Sequence, residues 1–454
     1  MKIRTVLILL IIIALLFLLM MIKMYYSDQS EKENIENIDK GKQKPIQQKE
    51  KEINWPNSYN SNDNTLTTEG SLQSLGEQKT AVILYTTSND DDTFGKSKED
   101  FYREILDKNN EYSFNNFINE NSYGKMWLTG VVTPWLFIGS ENPFLEDIIS
   151  AADPHIDYSQ IKRIIMIRPR SSGELGIGGN SFVNYATHEG IQGLIIVQAF
   201  YNPSDGNPDY SRYQILTEGY SPPYGYHLLS HEFGHSLYPP PLGVAHAASL
   251  SCVTTPYKIT NSELDSSCTI GLENSDQVGV GRGHYNTIIK EKLGWLRKNQ
   301  VLEIESGESG TYILNPLETT EGIKVIKIPR VECSKIGDIA DTCGGDGKGW
   351  YYLEYRRNMG NDKSLFITGA YSSVSYKYDG VEIRIDGFLM NKTISPEIVY
   401  GTDYRSSLLI DSDVNDIWDN TLGVGETFID PHFGTEIKVV ELTEERVLVK
   451  VNFR

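Results

Sequence analysis

The stretch His231-Glu232-Phe233-Gly234-His235 places two imidazoles four residues apart, with a carboxylate directly after the first. Positions i and i+4 of an α-helix share one face, so both rings can reach a single Zn²⁺ if the stretch is helical. The preceding Tyr226-His227-Leu228-Leu229-Ser230 has apolar residues at helical spacing, and the next proline is Pro239. This spacing predicts a helix over about residues 226–236 that carries a zinc site with a carboxylate beside it.

A third imidazole follows the helix at His246. The run Pro239-Pro240-Pro241 ends the helix, and Gly243 permits the sharp turn that would return His246 to the metal. Three histidines and an open water position are the composition of a catalytic zinc site. We therefore expect His231, His235 and His246 to bind Zn²⁺, and Glu232 to be the general base for a zinc-activated water.

Other assignments of the third ligand stay open at this level. His284 is one rival, and the neighbouring Tyr285 is then a candidate hydrogen-bond donor to the oxyanion. In the other large class of zinc peptidases, a downstream glutamate replaces His246. His227 shares the helical face of His231, but eight residues of helix put it about 12 Å from His235. We expect His227 to lie beside the ligands or at the surface.

The chain from 231 to 246 resembles the H-E-x-x-H-x-x-G-x-x-H pattern of the metzincin zinc peptidases, with residues 238–242 as an insertion. From about residue 81 to its end, the chain is similar to gametolysin-type peptidases and the related immune-inhibitor-A peptidases. Valine occupies position 278, where metzincins carry a methionine beneath the zinc. The stretches that carry the wider similarity are residues 112–117, 121–125, 284–286, 290–296 and 351–356.

The chain before the zinc motif alternates between strand and helix patterns. Apolar, β-branched runs predict strands over residues 79–85, 126–132, 161–167 and 193–198, and the spacing of Phe101, Ile105 and Leu106 predicts a helix over about residues 97–109. This order suits the α+β or α/β layout of a metzincin-like zinc peptidase domain. We expect that catalytic domain to cover residues 79–297.

The pattern changes after Trp295. Short strands rich in Val, Ile, Tyr and Thr are separated by Gly, Asn, Asp and Pro, which predicts a β-sandwich. We expect this all-β accessory domain to cover residues 298–454. Its predicted strands are residues 311–314, 324–328, 350–355, 381–385, 408–410 and 446–451.

Residues 5–22 form an uncharged apolar run, with Lys2 and Arg4 before it and Lys23 after it. A helix of about 18 residues is about 27 Å long, enough to cross a bilayer. We expect residues 1–26 to be a signal anchor with everything after Lys23 outside the cell; secretion after cleavage of a signal peptide is the alternative. Residues 27–78 are polar and are expected to form a flexible tether.

Composition limits the partners and the compartment. The 454-residue chain has a formal net charge of -19, which argues against nucleic acid or an anionic lipid surface as its main partner. The cluster Asp90-Asp91-Asp92 is a candidate for Ca²⁺. Four cysteines fit an oxidising exterior, and proximity favours pairing Cys252 with Cys268 and Cys333 with Cys343 over the other connectivities.

Two classes of function fit these features. The first is a membrane-anchored, extracellular zinc endopeptidase that hydrolyses protein or cell-wall glycoprotein substrates. The second is a cell-surface adhesion or carbohydrate-binding protein whose peptidase domain is degenerate. Glu232 favours the enzyme, because a site that only holds a metal has no use for the general base.

Overall fold

The chain divides into two compact units, Met1–Asn57 and Ser58–Arg454, and the described residues all lie in the second. None of the helices in this described part is long and apolar enough to cross a membrane. The predicted anchor, most of the tether, Asp90 to Asp92, His246, Val278, Cys333 and Cys343 lie outside the described residues. The computed structural model describes residues 74–87, 96–140, 143–169, 179–201, 227–237, 247–252, 259–260, 263–264, 268–272, 283–330, 349–364, 380–390, 403–410, 421–430 and 434–453.

The first sheet has six strands in the order β2-β1-β4-β6-β5, with β3 paired to β1. Strands β1, β2, β3, β4 and β6 pair in parallel, whereas β5 runs antiparallel to β6. The first three residues of strand β1, 76–78, lie within the expected tether and pair with β2, so the tether ends earlier than predicted. The strands are β1 (Gly76–Thr87), β2 (Met126–Val132), β3 (Leu136–Ile138), β4 (Arg163–Pro169), β5 (Gly179–Thr187) and β6 (Gly190–Tyr201).

Helices cover both faces of the first sheet. Alternate residues of β1 point to opposite faces and therefore contact different helices. Val82 and Leu84 pack with apolar residues of α1, α2, α4 and α5, whereas Ala81 and Ile83 pack against α3. The helices are α1 (Lys98–Phe101), which continues as a π-helical turn over Tyr102–Leu106, α2 (Phe114–Asn121), α3 (Leu145–Ala152), α4 (His227–His235) and α5 (Thr287–Lys292). Short 3-10 turns lie at Asp153–His155, Tyr158–Gln160, Lys298–Gln300 and Gly360–Ser364.

The second sheet has eight strands in the order β10-β7-β16-β15-β14-β13-β11, with β17 paired to β15. They are β7 (Ala247–Cys252), β10 (Cys268–Leu272), β11 (Val301–Glu303), β13 (Val325–Arg330), β14 (Gly349–Arg356), β15 (Gly380–Met390), β16 (Asp403–Ile410) and β17 (Thr421–Leu422). The third sheet, in the order β12-β20-β19-β18, consists of β12 (Gly310–Leu314), β18 (Thr427–Ile429), β19 (Glu436–Leu442) and β20 (Val447–Asn452). A small hairpin pairs β8 (Ile259–Thr260) with β9 (Glu263–Leu264).

Residues of the second and third sheets share one apolar core. Each fully buried Val, Leu or Ile side chain contributes about 1.5–3 kcal/mol relative to exposure. This core includes Ile326, Leu353 and Ile383 from the second sheet and Leu314, Ile437 and Val449 from the third. The mixed α/β composition with several sheets is therefore confirmed, whereas the metzincin type of the fold stays a prediction.

Strands from both sides of residue 297 share the second sheet. Strand β7, which follows the zinc motif, pairs in parallel with β16, so that Ala248 is the register partner of Leu408. Strand β10 then pairs with β7 at the edge of the sheet. The expected catalytic segment and the expected accessory segment are thus joined by continuous backbone hydrogen bonding.

Cys252 and Cys268 are direct register partners on β7 and β10. Facing residues of an antiparallel pair have Cα atoms about 4.5–5.5 Å apart, which lies within the range that a disulfide spans. The proposed pairing of Cys252 with Cys268 therefore suits the register of the two strands.

Candidate metal centre

Helix α4 carries the zinc motif on the face turned away from the first sheet. Leu229 and Phe233 are fully buried in the core beneath the sheet, one helical turn apart. His231 and His235 are also one turn apart and lie on the other side of the helix, where both are half-buried. The apolar spacing thus produces the predicted helix, observed over His227–His235, and directs the two histidines outward.

The two histidines converge on one point. Their Nε2 atoms are 3.1 Å apart, and the rings are perpendicular with centroids separated by 4.6 Å. Two nitrogens bound at about 2.1 Å to one tetrahedral zinc would lie about 3.4 Å apart. The observed spacing differs from this by a few tenths of an ångström, so this donor pair fits a shared Zn²⁺.

The third predicted ligand, His246, lies outside the described residues. Within the described ranges, no cluster of three or more His, Cys, Asp or Glu side chains is placed to hold a metal. The structure therefore brings His231 and His235 together, and His246 stays a prediction.

Glu232 directly follows the first histidine and is half-buried. Burial raises the pKa of this carboxyl to about 7. A general base works best when its pKa is close to the working pH, because it must both accept and release a proton. A cation held by the adjacent histidines would favour the ionised carboxylate and lower this pKa.

A buried arginine fixes the end of helix α4. Arg163, at the start of β4, donates from Nη1 to the Ser236 hydroxyl at 2.8 Å, and its guanidinium carbon lies 4.9 Å from the centroid of the Phe233 ring. Phe114 packs edge-to-face against the same ring at 5.1 Å. A positive charge is favourable at the carboxyl end of a helix, although burial lowers the pKa of Arg163 to about 9.

Sequence reasoning missed Arg163. Its signal is a cation that directly precedes the apolar run Ile164-Ile165-Met166-Ile167, since a charged side chain in a buried strand needs a specific partner. Here that partner is the carboxyl end of helix α4, through the Ser236 hydroxyl.

His284 does not suit the role of a rival third ligand. Its ring is fully buried, with Nε2 2.8 Å from Glu120 Oε1 and Nδ1 2.9 Å from Lys290 Nζ. Because Lys290 donates to Nδ1, the ring proton lies on Nε2, which donates to Glu120. Both ring nitrogens are engaged, so neither offers a lone pair to a metal.

Tyr285 also differs from the expectation. Its side chain is fully buried, and its hydroxyl donates to the Ser230 carbonyl oxygen at 2.5 Å. The expected hydrogen bond to an oxyanion would need this hydroxyl in the substrate cleft. Instead, Tyr285 contacts the backbone of helix α4 at Ser230, one residue before His231.

Behind Tyr285 lies a buried ionic network that joins helix α5 to the second sheet. Asp362, Arg356, Glu354 and Glu382 are all fully buried. Glu354 accepts the backbone N–H of Thr287 at 2.7 Å, and Arg356 contacts both Glu354 and Asp362. Nearby arginines hold the pKa of Glu354 well below its usual range, against the cost of burial. Arg356 likewise lowers the pKa of Asp362, so Glu354 and Asp362 are ionised at neutral pH.

Lys290 makes the stability of this network depend on pH. Burial lowers its pKa to about 7, although Asp362 opposes the shift. An unfolded lysine titrates near about 10.4, so between these values the unfolded chain binds a proton that the folded chain has released. Below about pH 7 the folded chain bears the full cost of burying the charged lysine. Between about pH 7 and about pH 10.4 the free energy of unfolding rises by about 1.4 kcal/mol per pH unit.

We therefore expect the wild type to gain stability relative to Lys290→Gln between about pH 7.5 and about pH 9.5, by about 2–3 kcal/mol. Urea unfolding of both proteins at both pH values measures this difference. Lys327→Gln is the control, because carboxylates including Glu291 raise the pKa of Lys327 and keep it charged over this range. A difference between wild type and Lys290→Gln that is the same at both pH values would contradict the assignment.

The sequence matches no protein-family model and no curated protein at a significant level. The resemblance to gametolysin-type peptidases therefore rests on the quoted sequence motifs alone.

Proposed function

We propose that this protein is a zinc-dependent endopeptidase that acts on protein or cell-wall glycoprotein substrates. The observation that carries the proposal is the 3.1 Å separation of the His231 and His235 Nε2 atoms on a helix that also presents Glu232. A buried helix end and a packed sheet beneath it hold this pair, as a preorganised metal site requires. The metzincin type of the catalytic fold is part of the proposal.

Each residue of the site has a distinct task. His231 and His235 hold the metal from the helix, and His246 is the proposed ligand from the segment that follows. When bound, Zn²⁺ supplies a Lewis acid that polarises the substrate carbonyl and acidifies water. Glu232 accepts a proton during attack and delivers it to the leaving amine, a task that its position directly after His231 on helix α4 favours.

The full chain should contain about one zinc per molecule and cleave a protein substrate. A chelator should remove both the metal and the activity, and added Zn²⁺ should restore them, because an imidazole site binds zinc reversibly. Metal analysis alongside a fluorescent casein assay tests this. A chain that binds no zinc when refolded with the metal would overturn the proposal.

The same preparation tests the proposed location. We place the catalytic part outside the cell, anchored by the apolar run at residues 5–22. The activity should then sediment with membranes and stay there after a high-salt wash. Soluble activity, from a form whose amino terminus lies shortly after Lys23, would favour the secreted alternative.

A further inference from the structure

We infer that the second sheet positions the zinc-binding helix through residues 284–287, with Tyr285 as the positioning residue. This inference deepens the proposed function and rests on it. It means that the carboxyl-terminal part of the chain helps to orient the metal-binding helix and is not a separate accessory domain. Four features support it. The second sheet and helix α2 each form hydrogen bonds with residues 284–287. The Tyr285 ring packs against other aromatic rings, and its hydroxyl donates a hydrogen bond to helix α4.

The second sheet and the turn after β14 grip the backbone of residues 284–287. Arg356 Nη1 donates to the His284 carbonyl oxygen at 3.1 Å, and Asp362 accepts the His284 backbone N–H. Glu354 accepts the Thr287 backbone N–H at 2.7 Å, where helix α5 begins. Arg356, Asp362 and Glu354 are fully buried, so these bonds are shielded from water and strengthened by the low local dielectric.

Helix α2 grips the same residues from the other side. Asn121 Oδ1 accepts the Tyr285 backbone N–H at 3.0 Å, and the Asn121 carbonyl accepts from Lys290 Nζ at 2.6 Å. Glu120 accepts from the His284 ring and also from the Asn361 backbone N–H at 2.7 Å. Backbone groups on both sides of the Tyr285 Cα are therefore held by groups from distant parts of the chain.

The ring of Tyr285 is held as tightly as its backbone. It packs edge-to-face against Trp295 at 5.7 Å and against Phe117 at 6.2 Å. With backbone and ring both fixed, the hydroxyl is a fixed donor, and its target is the Ser230 carbonyl at 2.5 Å. A rigid donor on one element sets the rotation of the element that it contacts.

Rotation of helix α4 matters because the proposed third ligand comes from a different segment. His231 and His235 would keep their mutual spacing if the helix turned, but both would move relative to His246. A side-chain tip at a radius of about 6 Å moves by about 1 Å when a helix rotates by about 10°. Residues that orient metal ligands typically change metal affinity by about 10- to 100-fold when they are replaced.

The test removes the hydroxyl of Tyr285 and compares it with an equivalent hydroxyl elsewhere. Tyr285→Phe should bind Zn²⁺ about 10- to 100-fold more weakly, lower kcat more than it changes KM, and shift the absorption bands of the Co²⁺-substituted protein. Tyr158→Phe is the matched control, because Tyr158 is also fully buried and donates to a helix carbonyl, that of Ile149, at 3.1 Å. That variant should keep the wild-type Zn²⁺ affinity and Co²⁺ spectrum.

A second pair of variants tests the sheet itself without touching Tyr285. Arg356→Lys removes the guanidinium that holds the His284 carbonyl and should weaken Zn²⁺ binding about 10-fold. Arg384→Lys is its control, because Arg384 is equally buried and pairs with Glu354 and Glu382 in the same network. Arg384→Lys should leave Zn²⁺ affinity within about two-fold of wild type, well inside the change expected on losing an orienting partner.

The outcomes separate this inference from the proposed function. A wild-type chain that binds no zinc would refute the function itself. If the wild type binds zinc but Tyr285→Phe and Arg356→Lys match it in Zn²⁺ affinity and Co²⁺ spectrum, the positioning role is wrong and the peptidase proposal survives. Equal losses in the test variants and in their controls would show a general loss of stability, which also overturns the positioning role.

Discussion

Glu232→Gln should bind about one zinc per chain and lose peptidase activity by a factor of about 10³ or more. Glutamine has nearly the same size and shape, so helix α4 and the pair His231 and His235 should be undisturbed. The amide cannot accept a proton, however, and the base that activates water and protonates the leaving amine is lost. Activity should therefore fall while metal content does not change.

The matched control for this variant is Glu104→Gln. Glu104 is also half-buried, and burial raises the pKa of its carboxyl, but it lies on the π-helical turn after α1 and pairs with Lys96 at 3.2 Å. It should keep wild-type activity. Zinc content is measured for both variants together with initial rates on one substrate. A Glu232→Gln protein that cleaves at the wild-type rate would mean that another group is the base.

His235→Ala should lose nearly all measurable zinc at neutral pH. Removing one imidazole from the proposed three-histidine site leaves two protein ligands, and we expect a loss of several kcal/mol in zinc binding free energy. The fold should persist, because the apolar side of helix α4 contributes Leu229 and Phe233 to the core and His235 lies on the opposite side. Competition with a chromophoric chelator measures the affinity, and circular dichroism checks the fold.

His155→Ala is the control, since His155 is exposed on a short 3-10 turn. It should keep the wild-type affinity for zinc. His246→Ala belongs to the same series and should resemble His235→Ala if His246 is the third ligand. If His246→Ala binds zinc as tightly as the wild type, the third ligand is another group, such as a downstream glutamate. The peptidase proposal would still stand.

Local elements were predictable from the residues alone. Helix α4 is expected over about residues 226–236 and is observed over His227–His235, because apolar spacing and the following proline run act within a few turns. The predicted helix over residues 97–109 is likewise observed, as helix α1 followed by a π-helical turn that ends at Leu106. Ser97 and Asp100 form reciprocal hydrogen bonds that cap the start of α1. Strand β14 is observed one residue beyond each end of its predicted range.

Long-range pairings were not predictable in this way. His284 looks like a spare ligand in the sequence, yet its ring contacts Glu120, which is 164 residues away along the chain. The position of β7 between β10 and β16 could not be predicted either, because the residue pattern of a strand does not specify its neighbours. The sequence around a histidine does not show whether a distant carboxylate already accepts a hydrogen bond from its ring.

The sequence by itself determined the chemistry of helix α4: two imidazoles on one face, a carboxylate beside them and an apolar face below. Each of these depends on helical periodicity, which operates over about four residues. Only the tertiary structure decided that Tyr285 supports this helix and that Arg356 and Asp362 of the carboxyl-terminal part hold Tyr285 in place. Those contacts depend on burying charges in matched pairs, and that matching becomes visible only when the distant segments pack together.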